Sequence, residues 1–229
     1  MSKKVILFIV EGITDKESLA LILSRLIKNN RVEFYVVGGD ITSNKNTTLQ
    51  NCITKVNDCV KMFLKDKKFY KRDILRVVHL IDTDGAFIED KFIKQSNEDN
   101  VKYTKENIMA KNVESIIARN ERKSSVLNKL YSTESISNIN YSMYYFSCNL
   151  EHVLHDEQNL DDSLKCEYAE QFIDRYDNRE FEFIEFLNNS DFTVNKDYKE
   201  SWNFIKKELN SLNRYCNLHI LLNELLDNE

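Results

Sequence analysis

Two apolar runs, Val5-Ile6-Leu7-Phe8-Ile9-Val10 and Val77-Val78-His79-Leu80-Ile81, are each followed at once by carboxylates: Glu11 after the first, Asp82 and Asp84 after the second. Runs of this length without polar alternation predict strands covered on both faces, as in parallel sheets. In open α/β sheets, ligands bind in the crevice beyond the carboxyl ends of such strands. Glu11, Asp82 and Asp84 are therefore expected to meet at one sheet edge. Carboxylates crowded together repel one another, and the usual remedy is a hard divalent cation, Mg2+ or Mn2+.

The surrounding pattern supports this layout. Thr14-Asp15-Lys16-Glu17 reads as a capping box opening a helix to about Asn29, with Leu19, Ile22, Leu23, Leu26 and Ile27 at helical spacing. Val32 to Val37 predicts a second strand ending in Gly38-Gly39-Asp40, followed by a helix over 49–66 and a third strand over 74–81. Strands alternating with helices imply right-handed crossovers and a parallel sheet with helices on both faces. Beyond Asp90 helices are predicted around 105–131, 161–176, 179–188 and 198–227, while aromatic Tyr141 to Ser147 predicts a returning fourth strand. Asn149 after it suits a helix cap, which makes Glu151 another carboxylate placed just past a strand. The expected organisation is an α/β core over 1–90, a helical insertion over 91–160 with the returning strand and third acidic motif that complete the core, and a helical C-terminal region over 161–229.

Composition removes several classes. With 229 residues, 42% hydrophobic and 30% charged, the chain is of globular type, and no apolar stretch approaches the roughly 20 residues of a membrane span. The opening Met-Ser-Lys-Lys is not read as a signal peptide, because Glu11 interrupts the apolar run and no small-residue cleavage site follows. Cys52, Cys59, Cys148, Cys166 and Cys216 form no CxxC, which predicts reduced thiols, no zinc site and a cytoplasmic location. There is no proline, and glycine occurs only at 12, 38, 39 and 85, so neither a P-loop nor a GxGxxG fits in this sequence. Any ATP dependence would come from a partner. The net charge of −5 hides an asymmetry: 55–76 carries eight Lys/Arg against three Asp, 102–129 seven against three Glu, and 150–200 fifteen acids against five bases. The basic segments suit a phosphate backbone or a solvated helix face, and the acidic one suits a basic partner.

The pattern hhhhVEGxxD followed by hhhDxDG resembles the Toprim domain, the metal-binding, Rossmannoid fold of primases, topoisomerases and several nucleases; the likeness covers about residues 4–90. Ser147-Cys-Asn-Leu-Glu151-His-Val-Leu-His155 is also similar to a block of RloB-like proteins. Together they resemble the Toprim effectors of bacterial phage defence, the nuclease halves of OLD-family and PARIS-type ATPase partnerships. The resemblance implies a Toprim-like parallel sheet, a strand-one glutamate at Glu11 acting as ligand or general acid/base, and Asp82 and Asp84 as metal ligands. It further implies a nucleic-acid substrate, DNA or RNA, tRNA included, and a separate ATPase partner. Phosphodiester cleavage suits two cations about 4 Å apart. Asp15 and Glu151 are then expected at a second ion, with Asp40 a further candidate, and Lys123, Arg119 or Lys111 as the cation near the scissile phosphate. A homo-oligomer is compatible with this.

Each feature also has a plainer role. Asp-Thr-Asp-Gly suits a turn after a strand, Asp15 and Glu151 suit first helical turns, His152 and His155 suit structural positions as well as proton transfer, and Tyr141, Tyr144, Tyr145 and Phe146 suit a core strand better than base stacking. Two other functions remain open on sequence. One is a haloacid-dehalogenase-like phosphatase built on Asp82-Thr-Asp-Gly85, against which stands the lack of any glycine after Gly85. The other is a non-catalytic sensor or assembly subunit on the same scaffold.

Overall fold

The structure, a computed structural model, describes residues 4–227; the first three residues, part of the signal-peptide reading, and the last two lie outside the described residues. Its first half alternates as the apolar runs require: β1 (Val5–Val10), α1 (Ile13–Leu26), β2 (Arg31–Val36), α2 (Cys52–Lys67) and β3 (Ile74–Asp82). Three short strands follow, β4 (Ile93–Gln95), β5 (Lys102–Tyr103) and β6 (Ile108–Ala110), and then the long helix α3 (Val113–Tyr131). The chain returns through β7 (Ser135–Ile136) and β8 (Ile139–Ser147) to α4 (Leu150–His155), α5 (Lys165–Tyr176), α6 (Glu180–Asn189), α7 (Tyr198–Ile205), β9 (Tyr215–Cys216) and α8 (Leu218–Leu226).

The fold is α/β, with a mixed sheet flanked by helices. Four strands run parallel in the order β2-β1-β3-β8, and β7 and β9 pair antiparallel with β8. Alternation along β1 divides the core. Ile6, Phe8 and Val10 face a cluster built with Leu19, Leu23 and Leu26 of α1 and Leu218, Leu221 and Leu222 of α8. Val5, Leu7 and Ile9 face a second cluster with Val56 and Phe63 of α2, Leu127 of α3, and Trp202. Every residue of β1 is buried, which explains why its sequence shows no polar alternation. Because α1 and α2 lie on opposite faces while β2 and β3 flank β1 on opposite sides, the chain reverses its winding between β1 and β3. That is the position at which an α/β sheet opens a ligand crevice.

Three expectations need correction. The helix expected from 105 begins only at Val113, where Asn112 caps it by accepting from Ser115 N at 2.9 Å. Residues 93–110 instead form a small sheet in the order β4-β6-β5, whose strands of two or three residues are too short to leave a periodic signal. The helix expected over 198–227 is broken, because Tyr215 and Cys216 join the main sheet beside Ser147 and Phe146. Finally, α1 is not started by a Thr14–Glu17 box: it begins at Ile13, and Asp15 Oδ2 accepts from Gly12 N at 2.8 Å. Tyr141, Tyr144, Tyr145 and Phe146 are buried core residues of β8. Among the described residues, no helix is long and apolar enough to cross a membrane.

Candidate functional site

Glu11 follows β1, Asp82 closes β3 and Glu151 lies just past β8, so three carboxylates occupy the carboxyl edge of adjacent parallel strands. Glu11, Asp15 and Asp82 line one small hollow of about 10 Å³, together with Phe146 and Leu150, which is about the room of a single water. Asp82, Asp84 and Glu151 also line an open cleft of about 730 Å³, walled on one side by Val101, Lys102 and Tyr103 and on the other by Asn159 to Asp162 and Lys165. Gly38 N and Gly39 N both donate to Glu11 O, at 3.1 and 3.2 Å, which ties the end of β2 to the end of β1.

Asp84 stands at a left-handed position, φ 49°, and Gly85 follows at φ 66°. A short polar side chain tolerates that region and glycine enters it freely. At Gly85 a side chain would also crowd Ile108 Cδ1, 3.0 Å from where a Cβ would stand. The turn is held from three directions: Asp84 N donates to Cys148 O at 2.8 Å, Gly85 N donates to Ser211 O at 2.9 Å, and Arg119 Nη2 donates to Asp84 O at 2.8 Å. Asn120 Nδ2 adds a bond to Gly85 O at 3.2 Å, and Thr83 Oγ1 donates to Ser211 O at 2.6 Å.

The electrostatics follow from crowding. Burial, then Asp40, then Asp82 and Asp84 push the Glu11 carboxyl well above its usual range, against the pull of Lys123. Its Oε1 is buried without a hydrogen-bond partner. Burial, followed by Asp15, Asp84 and Glu151, raises Asp82 in the same way. Asp15 is raised by burial and by Glu151, although its bond from Gly12 N acts the other way.

Lys123 answers part of this negative charge. Its side chain is 0% exposed, and Nζ donates to Asp40 Oδ2 at 2.6 Å and to Asp84 Oδ2 at 2.5 Å. Burial disfavours its charge, yet Asp40, Asp84 and Glu11 more than offset this and hold it protonated well above the usual lysine range. Burial likewise opposes ionisation of Asp40, but Lys123 and hydrogen bonds from Ser43 and Thr42 bring that carboxyl well below the usual range. Lys165 Nζ pairs with Glu151 Oε1 at 3.2 Å.

The structure thus gathers Glu11, Asp15, Asp40, Asp82, Asp84, Lys123, Arg119 and Glu151 around the crevice. Lys111 is elsewhere, exposed and paired with Asp99 at 2.6 Å. His152 is buried in α4, its pKa lowered by burial to about 4, and His155 packs edge-on against Tyr168 and Phe172. The basic stretch Lys65 to Arg72 is not near the acids: it precedes β3, whereas Asp82 ends it. Sequence reasoning missed Asn120, Lys165 and Ser211. Asn120 and Lys123 had a signal, for with Ile116, Leu127 and Leu130 they fall on the buried stripe of α3. A lysine on such a stripe must find buried carboxylates.

The donors here are hard oxygens suited to Mg2+ or Mn2+, and the unpartnered Glu11 Oε1 beside the raised Asp82 is where positive charge is wanted. Among the described residues, no three His, Cys, Asp or Glu side chains are already grouped as a ligand set; Asp84 and Glu151 are turned to lysines instead. No family model matches the chain, and no curated protein and no solved structure matches it either.

Proposed function

We propose that this protein is a divalent-metal-dependent nuclease of Toprim-like architecture that cleaves phosphodiester bonds in DNA or RNA. The observation that carries the reading is the pair Glu11 and Asp82 across the β1/β3 crevice, both raised by burial and by neighbouring acids, with Glu11 Oε1 lacking a partner. Glu11, Asp82 and Asp84 would hold Mg2+ or Mn2+, with Asp15 and Glu151 serving a second ion. Cations held there supply Lewis acidity to a phosphoryl oxygen and acidify water.

The chain's own residues do the rest. Asp84 is aimed by Lys123 and by the Arg119 bond to its carbonyl, and Asp15 fixes the first turn of α1 beside Glu11. Glu11, carrying a proton more readily than an ordinary carboxyl, suits a role in proton transfer as well as ligation. Lys123 contributes by holding Asp84 and offsetting its charge, since its ammonium group is spent on two carboxylates. Activity in phage defence beside a separate ATPase is the setting suggested by the Toprim resemblance, and an adjacent ATPase gene would support it.

The test is cleavage of mixed DNA and RNA by purified protein with Mg2+ or Mn2+, comparing wild type with Glu11→Gln and Asp82→Asn. Metal-dependent cutting lost in both variants supports the reading. Cutting that survives in both variants refutes it. A second reading, a non-catalytic scaffold, is favoured by the self-neutralising pairs Lys123–Asp84 and Lys165–Glu151. Nucleic acid left intact under every metal, with the ATPase partner present, would select it.

A further inference from the structure

The end of α2 and its connection to β3 carry Lys67-Lys68-Phe69-Tyr70-Lys71-Arg72, two aromatics between two pairs of cations. It lies where β3 begins, beside the starts of β1 and β2: Arg31 N donates to Lys4 O at 2.7 Å, and Lys4 Nζ donates to Arg72 O. Phe69 anchors the loop. It stacks on Phe63 at 5.6 Å and carries the Arg31 guanidinium 5.1 Å from its ring centre.

Tyr70 has no such role. It is 67% exposed, with the Arg72 guanidinium 5.0 Å from its ring centre. Lys65, Lys67, Lys68, Lys71 and Arg72 are exposed, as are Lys4 and Arg31, and the acids among them are Asp66, Asp73 and Glu33. Two of those acids are engaged, Glu33 with Arg31 at 2.6 Å and Asp73 in accepting from Tyr70 N at 2.8 Å. A cleft of about 570 Å³ opens alongside, lined in part by Lys4, Asn30, Arg31 and Phe69.

Exposed cations that follow a phosphate backbone, combined with an aromatic ring presented to solvent, are the means by which proteins hold single strands, whose bases are free to stack. We propose that this loop is a binding surface for single-stranded nucleic acid, with Lys67, Lys71 and Arg72 on phosphates and Tyr70 stacked on a base. The length of β3, Ile74 to Asp82, separates it from the acidic crevice, a span of about 26 Å at the rise of a strand. Only a strand long enough to cover that distance could occupy the loop and the acidic crevice together. The choice of nucleic acid over another polyanion rests partly on the nuclease reading.

The test is fluorescence anisotropy of a labelled single-stranded oligonucleotide in EDTA, where binding is read apart from cleavage, over a series of salt concentrations. Lys67→Glu/Lys71→Glu/Arg72→Glu should weaken binding at least tenfold and make the dependence of log K on log salt shallower by about 2, at about 0.7 for each phosphate no longer neutralised. Tyr70→Ala should weaken it by about fivefold or more with the salt slope unchanged. The milder Lys67→Gln/Lys71→Gln, checked for folding by circular dichroism, should show a smaller change of slope in the same direction. Wild-type protein that binds through the loop in EDTA yet cuts nothing when Mg2+ or Mn2+ and the ATPase partner are supplied keeps this inference and removes the nuclease reading. Unchanged affinity in the charge-reversed and Tyr70→Ala variants overturns it, as would capture of phosphatidylserine-containing vesicles that the oligonucleotide fails to displace.

Discussion

Replacing Lys123 with methionine isolates the energy stored in the acidic crevice. The lysine is 0% exposed, and its two partners, Asp40 and Asp84, have side chains only 14% and 21% exposed. Removing one member of a buried ion pair leaves uncompensated charge and costs about 3–5 kcal/mol. Methionine fills most of the space of the lysine stem, so a cavity adds little. Because both carboxylates keep some contact with water, the expected loss is near the lower end, about 3 kcal/mol. For a chain of this size that corresponds to a fall of roughly 6–12 °C in Tm. Scanning calorimetry in EDTA at neutral pH measures it. Adding Asp40→Asn to Lys123→Met should return at least about 1 kcal/mol, because the residues are in contact and their effects couple. Mg2+ or Mn2+ should then raise the midpoint of Lys123→Met more than that of wild type, as the cation meets the charge the lysine leaves. A midpoint within about 2 °C of wild type, or an Asp40→Asn effect that simply adds to the loss, would refute the reasoning.

Glu11→Gln and Asp82→Asn should each raise Tm at neutral pH in EDTA. Both carboxyls are raised on folding, so the native state binds more protons than the unfolded chain. Their stability is full below the ordinary values of 4.5 and 3.8 and is lost as pH rises through the folded values. A pH–Tm profile as steep in the amide variants as in wild type would contradict this. Gly85→Ala should cost about 1–2 kcal/mol for its left-handed backbone, with added crowding against Ile108 and Leu212; a neutral result in urea unfolding would count against the account of the turn.

The strands β1 and β3 were legible because burial on both faces leaves an unbroken apolar run, and the carboxylates after them were legible because they end those runs. The helix start at Gly12 was misread because Thr14–Glu17 and Gly12–Asp15 both offer a carboxylate three residues on, and only the backbone decides between them. The small sheet of β4, β5 and β6 was invisible for lack of length. Ser211 and Lys165 lie far along the chain from the turn and the strand end they serve, and their pairing with Thr83, Gly85 and Glu151 exists only in three dimensions. The basic run before β3 shows how little nearness in sequence says about nearness in space. It is close to Asp82 along the chain, yet the extended strand β3 between them puts it at the other end.

The central claim is that the acids at the β1/β3 crevice hold a divalent cation, and titration of Mn2+ followed by electron paramagnetic resonance addresses it most directly. Wild-type protein is expected to take up Mn2+, with binding lost in Glu11→Gln and Asp82→Asn and retained in Tyr70→Ala, whose ring lies at the opposite edge. Failure of the wild type to bind Mn2+, or equal binding by the wild type and both amide variants, would contradict the account.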